Sequence, residues 1–171
     1  MGVLKVIKNR FSVRKFKDQP IEPEKLERIL EAAKAAPTAK NLQPQRIFVC
    51  KSKKALAAID SATKCRYGAP TVLVVCYDQN EVWHNPFDPT IDSGEIDASI
   101  VADEMILAAW EEGIASCWVA YFNPKKINSG LKIQEHIRPV VLIPIGYAED
   151  GVEPALRHME SKDLDEIVHE L

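Results

Sequence analysis

The sequence predicts a mixed α/β or α+β domain built on a central sheet, with residues 1–171 forming one unit. Three observations predict it. Helix-like and strand-like segments alternate along the chain. One run, Thr71–Tyr77, is almost entirely β-branched and apolar. Apolar residues make up 46% of the 171, enough to fill one core of moderate size.

The elements follow in order. Leu26, Ile29, Leu30 and Ala33 recur at helical spacing, with Pro23 suited to a first turn and Pro37 a stop, which predicts a helix over Glu22–Ala36. Arg46–Cys50 carries Ile47, Phe48 and Val49 and reads as a strand. Ser52 then caps a short helix through Ile59. Thr71–Tyr77 is a strand buried on both faces. Asp78–Gly94, rich in Pro, Asn, Asp and aromatics, is a long connection of the kind that is functional or disordered. Glu95–Glu112 reads as a long helix with Ile96, Ile100, Met105, Leu107, Ala108 and Ala109 on its apolar side, ended by Gly113. Ile114–Phe122 predicts another buried strand, Pro124 opens a short helix to Leu131, and Val140–Tyr147 forms a further strand with Gly146 at its exit. An amphipathic helix over Ser161–His169 closes the chain, with Leu164, Ile167 and Val168 on one side.

The formal net charge is −3, with no block of one sign, which argues against nucleic acid or an anionic membrane as the main partner. No apolar run approaches the roughly 20 residues that cross a bilayer. Met1–Asn9 has neither a long apolar stretch nor a small-residue cleavage site, so no signal peptide is expected and the expected location is cytoplasmic. Cys50, Cys76 and Cys117 lie inside apolar segments and, with Cys65, predict free thiols rather than disulfides or zinc ligands. His84, His136, His158 and His169 lack ligand spacing, so no metal site is expected. Asp88, Asp92, Glu95 and Asp97 read as the solvated face of a loop plus a helix cap. Ser12 and Cys117 have no evident base for nucleophilic work.

Two short segments carry the chemistry. In Arg10-Phe11-Ser12-Val13-Arg14, extended backbone would put positions two apart on one side, so two guanidiniums and a hydroxyl can converge on one anion. The plain alternative is a solvated basic face after a first helix. In Ala36-Pro37-Thr38-Ala39-Lys40-Asn41-Leu42-Gln43-Pro44, Asn and Gln amides can read the edge of a heterocycle, or the segment is simply a tight connection. Together they look like two halves of a nucleotide-type cofactor site, one for phosphate and one for a ring.

These segments, followed in order by Asp97-Ala98-Ser99, Gly113, Ser116-Cys117-Trp118 and Ile145-Gly146-Tyr147, resemble the FMN-dependent nitroreductase family, over essentially the whole chain. The resemblance implies a nitroreductase-like α+β fold: a central, mostly antiparallel sheet flanked by helices, in an intertwined homodimer. It implies FMN as cofactor, NAD(P)H as electron donor and a small flat acceptor such as a nitroaromatic or a quinone. Arg10 and Ser12, flanking Phe11, would hold the phosphate. Arg14 would lie beside the pyrimidine side of the ring, and Pro37, Thr38, Ala39 and Asn41 would reach the flavin from the other subunit. Trp118, Val119 and Ala120 would pass along the ring, with the Ala120 backbone N–H as candidate donor to flavin N5. Gly146 would leave room for close approach of a neighbouring segment. No side chain is assigned as catalytic, since the flavin carries the chemistry.

Where relatives carry a carboxyl-terminal arginine for the phosphate, this chain has Ser161 followed by Lys162, and either Lys162 or Arg157 takes its place. Trp83, Phe87 and Tyr121 are candidate lid residues; the loop aromatics either pin the loop to the body or line a substrate pocket. Two alternatives share the cofactor. One is a non-catalytic FMN-binding storage or sensor protein; the other is a flavin-dependent dehalogenase or dehydrogenase on the same fold.

Overall fold

The computed structural model describes residues 2–171; Met1, the first residue of the segment tested above for a signal peptide, lies outside them. The helices are α1 (Val3–Asn9), α2 (Pro23–Ala35), α3 (Lys53–Ala62), α4 (Gly94–Glu111), α5 (Pro124–Leu131) and α6 (Leu164–Ile167). The strands are β1 (Gln45–Cys50), β2 (Thr71–Asp78), β3 (Ala115–Ser116) and β4 (Ile137–Gly146). They form one sheet in the order β1-β2-β4-β3, antiparallel at every pairing.

All eight residues of β2 are buried, which explains why its sequence shows no polar alternation. Leu73, Val75 and Tyr77 point to one face and pack, with Val141, Ile143 and Ile145 of β4, under α2 and α4. Val72, Val74 and Cys76 point to the other and join Leu142, Ile59 and Ile127 under α3 and α5. Helix α4 is apolar on most sides, since Ala98, Val101, Ala102, Met105 and Ala109 face the sheet and α2, while Ile96 and Ile100 stay exposed. Between Val75 and Cys76 the β2–β4 register slips by one residue. Pro139 sits at this slip, where a missing N–H is tolerated.

Two expected elements are shorter than the sequence implies. Ile114–Phe122 forms a ladder only at Ala115–Ser116, then touches β4 through a single Val119–Leu142 bridge. Cys117 and Val119 turn inward while Trp118 and Ala120 lie exposed, so the segment is an edge buried on one side only. The tail helix is one turn, Leu164–Ile167, closed by an Asp163–Glu166 capping box. Leu164, Ile167 and Val168 are exposed, with no apolar surface of their own chain to cover, and a helix this short gains too little from its backbone to extend further.

The connection Asp78–Gly94 is also more ordered than its composition suggests. Ser93 N–H donates to Trp83 O while the Ser93 hydroxyl accepts from Trp83 N–H, His84 bridges Asp92, and Asn85 N–H donates to Ile91 O. Phe87 projects from the tip at 96% exposure, so it does not pin the loop, while Trp83 is held half-buried at the base.

Gly94 opens α4 directly against the Tyr77 ring. A Cβ there would lie 2.3 Å from Tyr77 Cε2, and the ring is buried and cannot step aside. Gly94→Ala is expected to destabilise the fold by about 1–3 kcal/mol through overpacking. Thermal unfolding would show a drop of roughly 2–4 °C per kcal/mol for a chain of this size.

Candidate active site

Helix α1 ends at Arg10, whose backbone turns extended, and the chain then runs along the open side of the sheet. Val13 anchors it: fully buried, it packs with Phe16, Ala69 and Ala115 in a small separate core. Val13 N–H donates to Ser116 O at 2.9 Å, Ser12 bridges Ser116, and Lys17 N–H donates to Tyr147 O at 2.8 Å. With Val13 fixed inward, the polar neighbours face outward.

Arg10, Ser12 and Arg14 come together as the two-residue spacing predicts. All three act on the Cys117 thiol: burial pushes it up, while the Arg14 charge, a hydrogen bond with Ser12 and the Arg10 charge pull it down. The Tyr67 hydroxyl is pushed up chiefly by the neighbouring Cys65 and by burial, while Arg14 pulls it down. Tyr67 and Gly68 both adopt left-handed backbone, a tight turn that places the ring under Arg14. Among the described residues no carboxylate pairs with Arg10 or Arg14, whereas Arg28, Arg46 and Arg66 each hold an acid. Ser12 and Arg14 open onto a cleft of about 290 Å³ bounded by the Glu149–Glu153 turn.

Beside this cluster runs the unpaired edge. Cys117 N–H donates to Pro144 O and Val119 N–H to Leu142 O, both inward to β4. The N–H groups of Trp118 and Ala120 alternate with these and find no partner among the described residues. They are backbone donors offered to whatever lies along the sheet margin.

The second segment lies elsewhere. The Ala39–Asn41 turn follows α2, and Lys40, Asn41 and Gln43 all have left-handed backbone, an uncommon concentration for residues with a Cβ. Internal bonds hold it: Thr38 Oγ1 accepts from Gln43 N–H at 3.1 Å, and Gln43 Nε2 donates to Asn41 Oδ1 at 2.9 Å. Its tether to the body is Asp97, whose Oδ1 accepts from Ala39 N–H at 2.9 Å. Asp97 is 2% exposed and not part of a solvated face, correcting the expectation from sequence; Asp92 supplies the cap, accepting from Gly94 N–H at 2.8 Å. The clue was periodic: Asp97, Val101 and Met105 fall four apart on the buried stripe. Asp97 Oδ2 and the Ser116 hydroxyl are buried without a hydrogen-bond partner among the described residues. No hydrogen bond or ion pair among those residues links Pro37–Asn41 to the Arg10–Arg14 segment of the same chain.

The remaining candidates are dispersed. Gly146 is buried, and its missing side chain makes room for Pro70 and Phe16, whose atoms would lie 3.0 and 3.4 Å from a Cβ. Phe11 packs edge-on against Trp110 at 5.2 Å and His158 at 6.1 Å, which draws the Leu156–Met159 turn toward the cluster. Arg157 and Lys162 are both exposed, and Tyr121 stands 79% exposed at the end of the open edge.

The donor set suits FMN. Two unpaired guanidiniums and a hydroxyl match a dianionic phosphate, and a row of free backbone N–H groups suits the polar rim of a flat heterocycle. Comparison with known proteins points the same way. The model of the nitroreductase family matches residues 7–67 and 64–147. A solved nitroreductase family protein from Clostridium difficile 630 is 38% identical, with a TM-score of 0.92 over 99% of this chain and 98% of that one. An FMN-dependent nitroreductase from Clostridium difficile R20291 is 30% identical, with a TM-score of 0.77 over 97% of each chain. An NADH dehydrogenase from Thermus thermophilus is 28% identical over 178 residues, spanning 83% of this chain and 85% of that protein. Matched through most of its length by the family model and superimposable on a solved member from end to end, this chain belongs to the nitroreductase family.

Proposed function

We propose that the protein is an FMN-dependent oxidoreductase that uses NAD(P)H to reduce a flat acceptor such as a nitroaromatic or a quinone. The observation that carries this reading is the pairing of the Arg10–Arg14 segment with Ser116, which sets Ser12 and Arg14 on one cleft at the head of the unpaired Trp118–Ala120 edge. When bound, FMN would supply the redox chemistry, moving a hydride between the nicotinamide donor and the acceptor in ping-pong fashion.

The protein's part is to hold, orient and tune. Arg10 and Ser12 bind the phosphate, and Phe11, wedged against Trp110, fixes the backbone between them. Arg157 completes the phosphate site in preference to Lys162, because the contact of His158 with Phe11 brings its turn to the cluster. Arg14 sets a positive charge against the negative charge that builds on the ring during reduction. The Ala120 N–H, without a partner among the described residues, would be the donor to N5, with Trp118 exposed beside it and Val119 packed inward to hold the segment on β4.

Pro37, Thr38, Ala39 and Asn41 act on the flavin of a second subunit. Support comes from their separation from the arginine cluster within one chain and from the exposure of Asn41. The apolar surface left open at Ile96 and Ile100 of α4 and at Leu164, Ile167 and Val168 of the tail fits a homodimer seam. Trp83, Phe87 and Tyr121 are left to shape access by the acceptor. The single domain, residues 1–171, works in the cytoplasm; no helix among the described residues is long and apolar enough to cross a membrane.

The purified protein is expected to show the twin visible bands of a flavin and to release FMN near one per subunit on heating. A colourless protein that also takes up no added FMN would refute the proposal. Arg14→Ala is expected to weaken FMN binding about tenfold or more, since a charge-assisted hydrogen bond contributes about 1.5–3 kcal/mol. It should also shift the flavin midpoint potential to more negative values, and an unchanged potential in redox titration would place Arg14 away from the ring. Asn41→Ala is expected to lower cofactor occupancy in absorbance titration while the apoprotein stays folded, its unfolding free energy falling by only about 1 kcal/mol because alanine tolerates the left-handed backbone at this position less well than asparagine.

A further inference from the structure

Past Ala120 the open edge runs into two adjoining clefts that extend beyond the residues assigned to the flavin. The nearer, about 720 Å³, is bordered by Ala120, Tyr121, Lys125 and Arg138. The farther, about 920 Å³, shares Lys125 and Arg138 and continues to Tyr77, Glu95, Lys132 and Glu135. Each falls within the range of small-molecule sites.

Three features mark this groove as built for a ligand. Arg138 and Lys125 stand where the clefts meet, and neither has an ion pair or hydrogen bond among the described residues, in a chain of net charge −3. Tyr77 lies directly across the β2–β4 ladder from Arg138, so the two side chains share a face. Tyr77 is only 8% exposed, yet its hydroxyl has no hydrogen-bond partner among the described residues while its ring borders the farther cleft. The hydroxyl itself is not enclosed by protein, so it opens onto the cleft, where a ligand would give it a partner. Gly94 packed beneath the ring prevents it from swinging away.

We infer that this groove takes the dinucleotide tail of NAD(P)H, with Arg138 and Lys125 holding the pyrophosphate and the Tyr77 recess receiving the adenosine end. The inference rests on the flavin reading, which puts the nicotinamide beside Ala120, at the near end of the groove. Guanidinium and ammonium groups side by side suit a diphosphate bridge. Glu95 and Glu135 border the farther cleft, where ribose hydroxyls can donate to carboxylates. Burial and the negative charges of Asp92 and Glu95 push the Tyr77 hydroxyl up, which keeps it protonated as a donor.

The test separates the tail from the flavin. ADP-ribose, which carries the pyrophosphate and adenosine but no nicotinamide, is titrated calorimetrically into the protein as purified, with FMN content measured on the same samples. The parent is expected to bind it, and Arg138→Ala and Lys125→Ala each to weaken binding about tenfold, the size of one charge-assisted contact. Tyr77→Phe, which keeps the ring over Gly94, is expected to weaken it about threefold or more. In steady-state assays the ratio of KM for NAD(P)H to KM for a phosphate-free dihydronicotinamide should rise in the two cation variants. No ADP-ribose binding by the parent, or equal binding by parent and both cation variants, overturns the inference even when FMN is present. A change in KM for an anionic nitrobenzoate with ADP-ribose binding unaltered also overturns it, and assigns the cations to the acceptor. Absence of FMN strikes the flavin reading instead.

Discussion

Burial of β2 on both faces is the constraint from which the rest of the structure follows. A strand with no solvent-facing residue needs partners on each side and helices above and below. β1 and β4 supply the hydrogen bonds, α2 and α4 cover one face, and α3 and α5 the other. Once β2 and β4 are both interior, the sheet must end somewhere. On the side beyond β4 it ends in a strand of only two residues. Val13 and Phe16 plug the gap beside that short strand with their own small core, and this holds the Arg10–Arg14 segment against it.

The candidate site is therefore a by-product of how the sheet closes. Val13 must turn inward for packing, which leaves Ser12 and Arg14 outside. Cys117 and Val119 must turn inward to pack on Leu142, which leaves the alternate N–H groups outward. Packing and binding use opposite sides of the same backbone, so neither compromises the other. At the other end of the fold, a buried carboxylate on α4 holds a turn with three left-handed residues, a shape that a short polar loop would not keep unaided.

Much of this was legible in the sequence because it depends on local pattern. The long helices and the doubly buried strand each read correctly from periodicity. What escaped depends on distant residues. Ile114–Phe122 has the composition of a full strand, but Pro144 stands opposite Cys117 and lacks the N–H for the return bond, so the ladder is continuous only at Ala115–Ser116 and resumes only in the Val119–Leu142 bridge. Ser161–His169 has amphipathic spacing, but no apolar surface of its own chain meets it. Asp97 looked like a surface acid because acids usually are; its burial depends on a backbone N–H 58 residues away. The convergence of Arg138, Lys125 and Tyr77 joins a strand pairing to a helix start and has no trace in local order.

The brevity of β3 has one further consequence. A strand margin with free amides beside an exposed tryptophan is a template on which a foreign strand can grow. Here the template is too short to be useful for that. The chain leaves β4 after Val119, Phe122 N–H folds back to Ala120 O, and Pro124 starts a helix that forbids continuation. Two outward donors remain, too few to nucleate a sheet between molecules. The same truncation that keeps the margin open to a ligand keeps it closed to self-association.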